Sequence, residues 1–251
     1  MDNLGKYIKY KKGSIPLILS VPHGGTLECK EIPKRVEGIF GIDKNTISVA
    51  HEFIKYIEKF SKLYYSTKKT PSYVMNRVHR SKIDVNRTKS EAYYKNSHIA
   101  NRIYDFYHKK IDELIRSNLK TFNKSILIDL HGFEKDKRPT GYRDVDIVLG
   151  TNNLASILNS IPIRRRDRDK NLRGEIIKKL LEFNIQIAPG HSRRGEYILT
   201  GGFITQKYGA SSISNSQAIQ IELSDRIRVH DRDLKAKVLN ALAHVFLKNL
   251  N

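Results

Sequence analysis

Apolar positions along this 251-residue chain follow two rhythms, short near-continuous runs and helically spaced stretches, and the two alternate. Residues 15–21 (IPLILSV) form an apolar run, interrupted only by Ser20, that stops at Pro22, which predicts a buried strand. Ile47, Ala50, Ile54 and Ile57 share one helical face, so 45–60 is predicted as a helix with Asp43 or Asn45 near its cap. Short strand candidates follow at 63–66 and 73–76. A long helix is predicted at about 91–118, where Ala100, Ile103, Tyr107, Ile111 and Leu114 fall on one side. Residues 125–130 (SILIDL) predict another buried strand, running into His131-Gly132. A fourth is predicted at 145–149, after Arg143-Asp144 and ending at Gly150. The pattern then turns helical over 171–183 and strand-like at 185–188, with a last clear strand at 218–223. A terminal helix carries Leu234, Val238, Leu242 and Val245 on one face. Strands alternating with helices predict an α/β fold, a mostly parallel sheet with helices on both faces. No Pro/Ser-rich linker, repeat or low-complexity block interrupts the pattern, so residues 1–251 are expected to form a single domain.

In open α/β sheets, ligands gather outside the carboxyl ends of the strands. Two histidines stand at such ends, in Ser20-Val21-Pro22-His23-Gly24-Gly25 and in Asp129-Leu130-His131-Gly132. Each follows an apolar strand and precedes glycine, which lets the backbone turn sharply and approach a ligand. A neutral imidazole at such a place is a good zinc ligand, and the repeated context favours a metal over two hydrogen-bonded strand-end histidines. Ala218, Gln220 and Glu222 share one face of their strand, and Ile219, Ile221 and Leu223 the other. An acid in so apolar a strand is costly to bury unless it is paired or useful. Glu222 is therefore either a general base beside an activated water or a carboxylate paired at a sheet edge. In Arg77–Arg87, Arg80, Asn86 and Arg87 could form an anion site, with Asp84 orienting one of the cations; an exposed basic loop is the plainer alternative. His51, His98, His108 and His244 lie in helical patterns and read as surface or packed groups. The His23-Gly-Gly turn lacks the Gly-Lys-Ser/Thr of a phosphate loop, and no Gly-x-Ser-x-Gly nucleophile elbow occurs.

Composition adds a charge and a compartment. Lys and Arg number 46 against 26 Asp and Glu, a formal net charge of +20, with one dense run at 164–170 (RRRDRDK). A field of that sign attracts nucleic acid, anionic lipid or a small acidic substrate. A lysine-rich solubilising surface is the main reading. Nucleic acid is possible but not favoured, because zinc-finger spacing, an aromatic RNA-binding signature and a detached basic tail are all missing. The single cysteine, Cys29, precludes an intrachain disulfide. The first fourteen residues (MDNLGKYIKYKKGS) lack a signal-peptide core, and no run approaches the ~20 apolar residues of a membrane span. The expectation is a cytoplasmic protein with no membrane partner; nothing sets an oligomeric state.

Six segments together resemble the N-formylglutamate amidohydrolase family. They are SVPHGG at 20–25, Arg80 with Asp84-Val85-Asn86-Arg87, DLHG at 129–132, DIVLGT at 146–151, GGFITQKYG at 201–209 and QAIQIELS at 217–224. The resemblance implies a zinc-carboxypeptidase-like fold and one Zn2+ per chain. By that resemblance His23 and His131 are metal ligands, Glu222 is the general base and Arg80 stabilises the oxyanion. Asn86 and Arg87 hold the substrate carboxylate. The implied reaction takes an N-acyl amino acid such as N-formylglutamate to a small acid and a free amino acid. A carboxypeptidase or deacylase of another amide is the alternative on the same scaffold. A basic nucleic-acid-binding protein with a relic site is the non-enzymatic one. The zinc carboxypeptidases carry a glutamate three residues after the first histidine, where this chain has Thr26. Asp43 is the favoured third ligand, ahead of Glu28, with Cys29 behind both.

Overall fold

A computed structural model describes residues 4–137, 144–158, 168–197 and 199–250. The elements in chain order are β1 (Ile8–Lys11), β2 (Leu17–Val21), α1 (Thr46–Tyr65), β3 (Ser72–Asn76), α2 (His98–Phe122) and β4 (Ser125–Phe133). They continue with β5 (Ile147–Gly150), α3 (Leu172–Glu182), β6 (Ile187–Ala188), α4 (Phe203–Tyr208), β7 (Ser216–Ser224) and α5 (Arg232–Lys248). A π-helical turn, Arg226–His230, links the last strand to the last helix. The strands form one mixed sheet in the order β1-β3-β2-β4-β7-β5-β6. The central run β3-β2-β4-β7 is parallel throughout, while β1 and β5 pair antiparallel to β3 and β7.

Strand alternation assigns the two faces. Leu17, Leu19 and Val21 of β2, Ile126, Ile128 and Leu130 of β4, and Ile219, Ile221 and Leu223 of β7 share one face with the apolar sides of α1, α3 and α5. Ile18, Leu127 and Ala218 point the other way, into a second core with α2 and α4. On that second face the side chains turn polar toward the carboxyl ends of the strands. No described helix is long and apolar enough to cross a membrane.

Several boundaries differ from the pattern-based expectation. The predicted strand at 63–66 is the last turn of α1, which continues until Ser66 takes a left-handed conformation. Tyr65 packs against the core while Leu63 and Tyr64 are exposed, and a window of four could not separate the two periods. The long helix starts at His98, not near 91, because Ser97 caps it and residues before the cap pair with the loop after β3: Ile83 bridges Tyr93, and Asp84 N–H bonds Ala92 O. Strand β4 runs on to Phe133, so His131 and Gly132 lie inside it. Pattern reading missed the edge strand β1 and the short helix α4. Of the basic run at 164–170, residues 164–167 lie outside the described residues, as does Arg143.

His108 is packed between α2, α4 and the loop after β3, where Nδ1 accepts from the Tyr208 hydroxyl (2.9 Å) and Nε2 donates to Val85 O (3.0 Å). Burial, helped by Lys207, pushes its pKa down from 6.5 to about 3. As pH falls, the unfolded chain takes up this proton first. The stability His108 supplies is complete above its unfolded pKa of 6.5 and drains away as pH approaches about 3, at up to about 1.4 kcal/mol per pH unit. In urea titrations His108→Gln should be less stable than wild type at neutral pH, with a gap that closes as pH falls. A gap independent of pH would contradict this.

Candidate metal centre

Three adjacent parallel strands deliver polar groups to one place. Ser20, Asp129 and Gln220 are register partners across β2, β4 and β7, and one step further His131 faces Glu222. His23 follows the end of β2, and the loop after β3 supplies Arg80, Asp84, Asn86 and Arg87. The long segment between β2 and α1 returns to the same spot with Asp43, whose N–H bonds His23 O at 3.0 Å.

Glycines make these approaches possible. A Cβ on Gly25 would sit 2.2 Å from the Arg77 carbonyl carbon, so the chains leaving β2 and β3 can cross only with glycine there. A Cβ on Gly132 would sit 2.2 Å from Arg228 Nε. That buried guanidinium donates to Leu223 O (3.0 Å), Phe133 O (2.9 Å) and Lys44 O, fastening the Asp43 segment to the ends of β4 and β7. Gly132 N–H in turn donates to Asp43 Oδ2 at 3.0 Å, which fixes that carboxylate.

His23, Asp43 and His131 are all buried, and their ligand atoms lie within 4.8 Å of one another. Each histidine turns Nδ1 toward Asp43 Oδ2, at 3.5 Å for His23 and 3.3 Å for His131. Each anchors Nε2 on a buried aspartate: His23 on Asp84 Oδ1 (2.7 Å) and His131 on Asp129 Oδ2 (2.9 Å). Metal-binding histidines carry this carboxylate partner on the remote nitrogen, which sets the tautomer and leaves the near nitrogen as a lone pair. His23 Nδ1 is buried with no hydrogen-bond partner among the described residues. An orphaned buried polar atom costs roughly 1–3 kcal/mol. A divalent cation between the two rings and Asp43 removes that cost, and two imidazoles with one carboxylate suit zinc and leave a position open. The residues fit the metal that the resemblance implies.

Without an ion, protons and carboxylates balance one another in this cluster, so a metal would compete with a proton for the near nitrogens. Burial disfavours the Asp43 carboxylate, but adjacent His131 and His23 outweigh it and hold the group well below the usual carboxylate range. Burial also opposes ionisation of Asp84, and His23 and Arg80 override it in the same direction. Burial works against a charge on His131, yet Asp129, Asp43 and Glu222 raise its pKa well above the ordinary value. Burial pushes Glu222 up, only partly opposed by His131 and by the hydrogen bond from Gln220.

The sequence-predicted residues do not all converge. Glu222 accepts from Gln220 Nε2 at 2.7 Å, and Gln220 Oε1 takes Gly202 N–H at 2.6 Å. Arg80 Nε donates to Asp84 Oδ2 at 3.0 Å, and its Nη1 lies 3.8 Å from Asp43 Oδ1. The Asn86 amide is engaged: Nδ2 lies 3.2 Å from His131 Nε2, and Oδ1 accepts Ile204 N–H at 2.8 Å. Arg87 is 46% exposed, with Nε 3.9 Å from Asp84. Glu28 is 62% exposed and faces His79 at 3.7 Å, so it does not join the two histidines. Cys29 packs beside the second core instead. Arg193 is turned to Asp169, at 3.1 Å.

Pattern reading passed over four contributors. Asp129 was legible only as part of DLHG, Asp84 only as a partner for arginine, and Gln220 only as a strand neighbour of Glu222. Arg35 carried no signal, yet it is buried, donates to Arg80 O at 3.1 Å and lies 3.8 Å from Asp84 Oδ2.

The sequence profile of the N-formylglutamate amidohydrolase family matches residues 94–227, more than half of the chain. The chain belongs to that family. It is accordingly an enzyme of the amidohydrolase type, acting on a carbon–nitrogen bond other than a peptide bond. The match takes in His131 and Glu222, while His23, Asp43, Arg80, Asn86 and Arg87 precede it. Among solved structures, an N-formylglutamate amidohydrolase from Ralstonia eutropha JMP134 is similar in fold, with a TM-score of 0.65 at 15% identity over 97% of each chain. A gene product from Agrobacterium tumefaciens is similar with a TM-score of 0.57 at 14% identity, over 100% of this chain and 95% of that one. No curated protein matches the chain in sequence.

Proposed function

We propose that this family member hydrolyses the amide bond of an anionic N-acyl amino acid, N-formylglutamate first among them, with zinc held by His23, Asp43 and His131. The observation that carries this reading is the His23–Asp43–His131 cluster with Glu222 in register beside it on the neighbouring strand. Bound there, zinc supplies Lewis-acid polarisation of the acyl carbonyl and makes water a stronger acid. Glu222 takes the proton of the attacking water and returns it to the leaving nitrogen. Gln220 holds that carboxylate in place by its 2.7 Å hydrogen bond. Arg80, fixed by Asp84, faces the developing oxyanion.

Substrate charge follows from an imbalance. Arg35, Arg80 and Arg87 lie 3.8, 3.0 and 3.9 Å from the same Asp84 oxygen. Asp84, with Asp43 3.8 Å from Arg80, sets two carboxylates against three guanidinium groups, and the remaining positive field favours a substrate bearing carboxylates. Arg87 is the most exposed of the three and makes the direct contact, with Asn86 beside it.

A panel of N-acyl amino acids tests this reading, with free amino acid as the measured product. N-formylglutamate should be turned over faster than neutral analogues. Arg87→Ala should raise KM for it roughly 10-fold or more and leave kcat nearly unchanged, since a hydrogen bond to a charged group is worth about 1.5–3 kcal/mol. An unchanged KM would remove the clamp, and no turnover of any member would remove the function.

A further inference from the structure

The carboxylate behind His131 is itself held by a chain of hydroxyl groups that reaches back to helix α2. Ser20 Oγ donates to Asp129 Oδ1 at 2.8 Å, and the Tyr107 hydroxyl lies 2.8 Å from Ser20 Oγ. The other oxygen of Asp129 takes His131 Nε2 at 2.9 Å. All four side chains are buried, Ser20 and Asp129 as register partners and Tyr107 from the helix packed over that face.

The direction of the chain is fixed by what each group can donate. An ionised Asp129 only accepts. Ser20 has one proton and gives it to Asp129, so its oxygen must accept from Tyr107. His131 must then carry a proton on Nε2, so the neutral ring that accepts a metal does so through the Nδ1 lone pair facing Asp43. Hydrogen bonds aligned in one sense polarise one another, and the buried setting strengthens each of them. The arm behind His23 is built differently: Asp84 is held by Arg80 and by the N–H of Asn86, groups that also belong to the substrate side. Among the described residues Asp129, Ser20 and Tyr107 contact neither Arg80 nor Arg87, although Asn86 Nδ2 lies 3.2 Å from His131 Nε2, so this arm can be altered without disturbing the arginines.

We infer that Tyr107 and Ser20 are positioning residues for the metal centre: through Asp129 they fix the tautomer and ring plane of His131 and so set how tightly the site holds its ion. The inference rests on the metal reading of the site. Removing a partner behind a metal ligand typically costs about 10–100-fold in affinity. Ser20→Ala, which strips one hydrogen bond from Asp129, should weaken zinc binding about tenfold, and Tyr107→Phe, one step further out, by a few-fold.

The test is competition for Zn2+ between the purified full chain and a chromophoric chelator, together with nitrogen NMR of the His131 ring. Wild type should show His131 protonated on Nε2. Ser20→Ala and Tyr107→Phe should bind zinc more weakly in that order, and Ser20→Thr, which keeps the hydroxyl, should recover wild-type affinity. Ser216→Ala is the control, because it deletes a buried hydroxyl that, among the described residues, serves only Tyr208 O at 2.8 Å. It should leave zinc affinity unchanged. If Ser20→Ala does not fold, Tyr107→Phe, equal in shape, decides the matter alone. Wild-type affinity in Tyr107→Phe and in any folded Ser20→Ala overturns the inference and leaves the metal reading standing. A wild-type chain that binds no zinc removes both.

Discussion

Glu222→Gln is expected to lower kcat by roughly 100-fold or more while the protein keeps its metal. The amide has the shape of the carboxylate and can still meet Gln220, so neither the strand nor the ligands need move. It cannot accept a proton from water. General acid–base catalysis by one positioned group contributes about 10²–10⁴-fold, and a 100-fold loss is about 2.7 kcal/mol of barrier. Glu222 suits the task because burial lifts its affinity for a proton above that of an ordinary carboxylate. Steady-state kinetics with elemental analysis of the same preparation separates chemistry from metal loss. A variant within a few-fold of wild type would mean that another group takes the proton.

The second large effect is expected from His23→Ala combined with His131→Ala. The double variant keeps Asp43 but loses both nitrogen ligands, and zinc content should fall from about one per chain to near zero. Stability should fall too. Asp84 and Asp129 are buried and would lose the imidazoles that meet them at 2.7 and 2.9 Å. Breaking one partner from a buried charged pair costs about 3–5 kcal/mol, softened here because Asp84 keeps Arg80 and Asp129 keeps Ser20. Thermal unfolding and metal analysis of the dialysed variant read the two consequences. A double variant that retains its zinc would place the ion elsewhere.

Much of this architecture is legible as sequence because strands buried on both faces read as near-continuous apolar runs. The runs at 15–21 and 125–130, interrupted inside only by Ser20 and Asp129, and the alternating 218–223 are β2, β4 and β7, neighbours in the sheet. The strand–His–Gly pattern at 23 and 131 marks carboxyl ends that adjacent parallel strands bring side by side. What sequence could not decide was which acid returns to those ends. Asp43 and Glu28 lie in the same irregular segment, and no periodicity distinguishes them. The choice is made by Arg228 and Gly132, far along the chain, which fasten the Asp43 end of the segment against β4. The aspartates behind the histidines were hidden for a similar reason. Asp129 reads as one polar residue in a strand, and only the register with Ser20 and the approach of Tyr107 show it as part of a chain. The short edge strand β1 and the six-residue helix α4 carry too few residues to establish a period.

An ion held by His23, Asp43 and His131 is proposed to enable hydrolysis of an acidic N-acyl amino acid. The most direct test is hydrolysis of N-formylglutamate by chelator-stripped protein as Zn2+ is returned in measured amounts. Activity should be near zero in the stripped protein and rise linearly to a plateau at about one equivalent per chain. Full activity in protein shown to be free of metal would contradict the account, as would a protein that binds one zinc per chain and releases no glutamate.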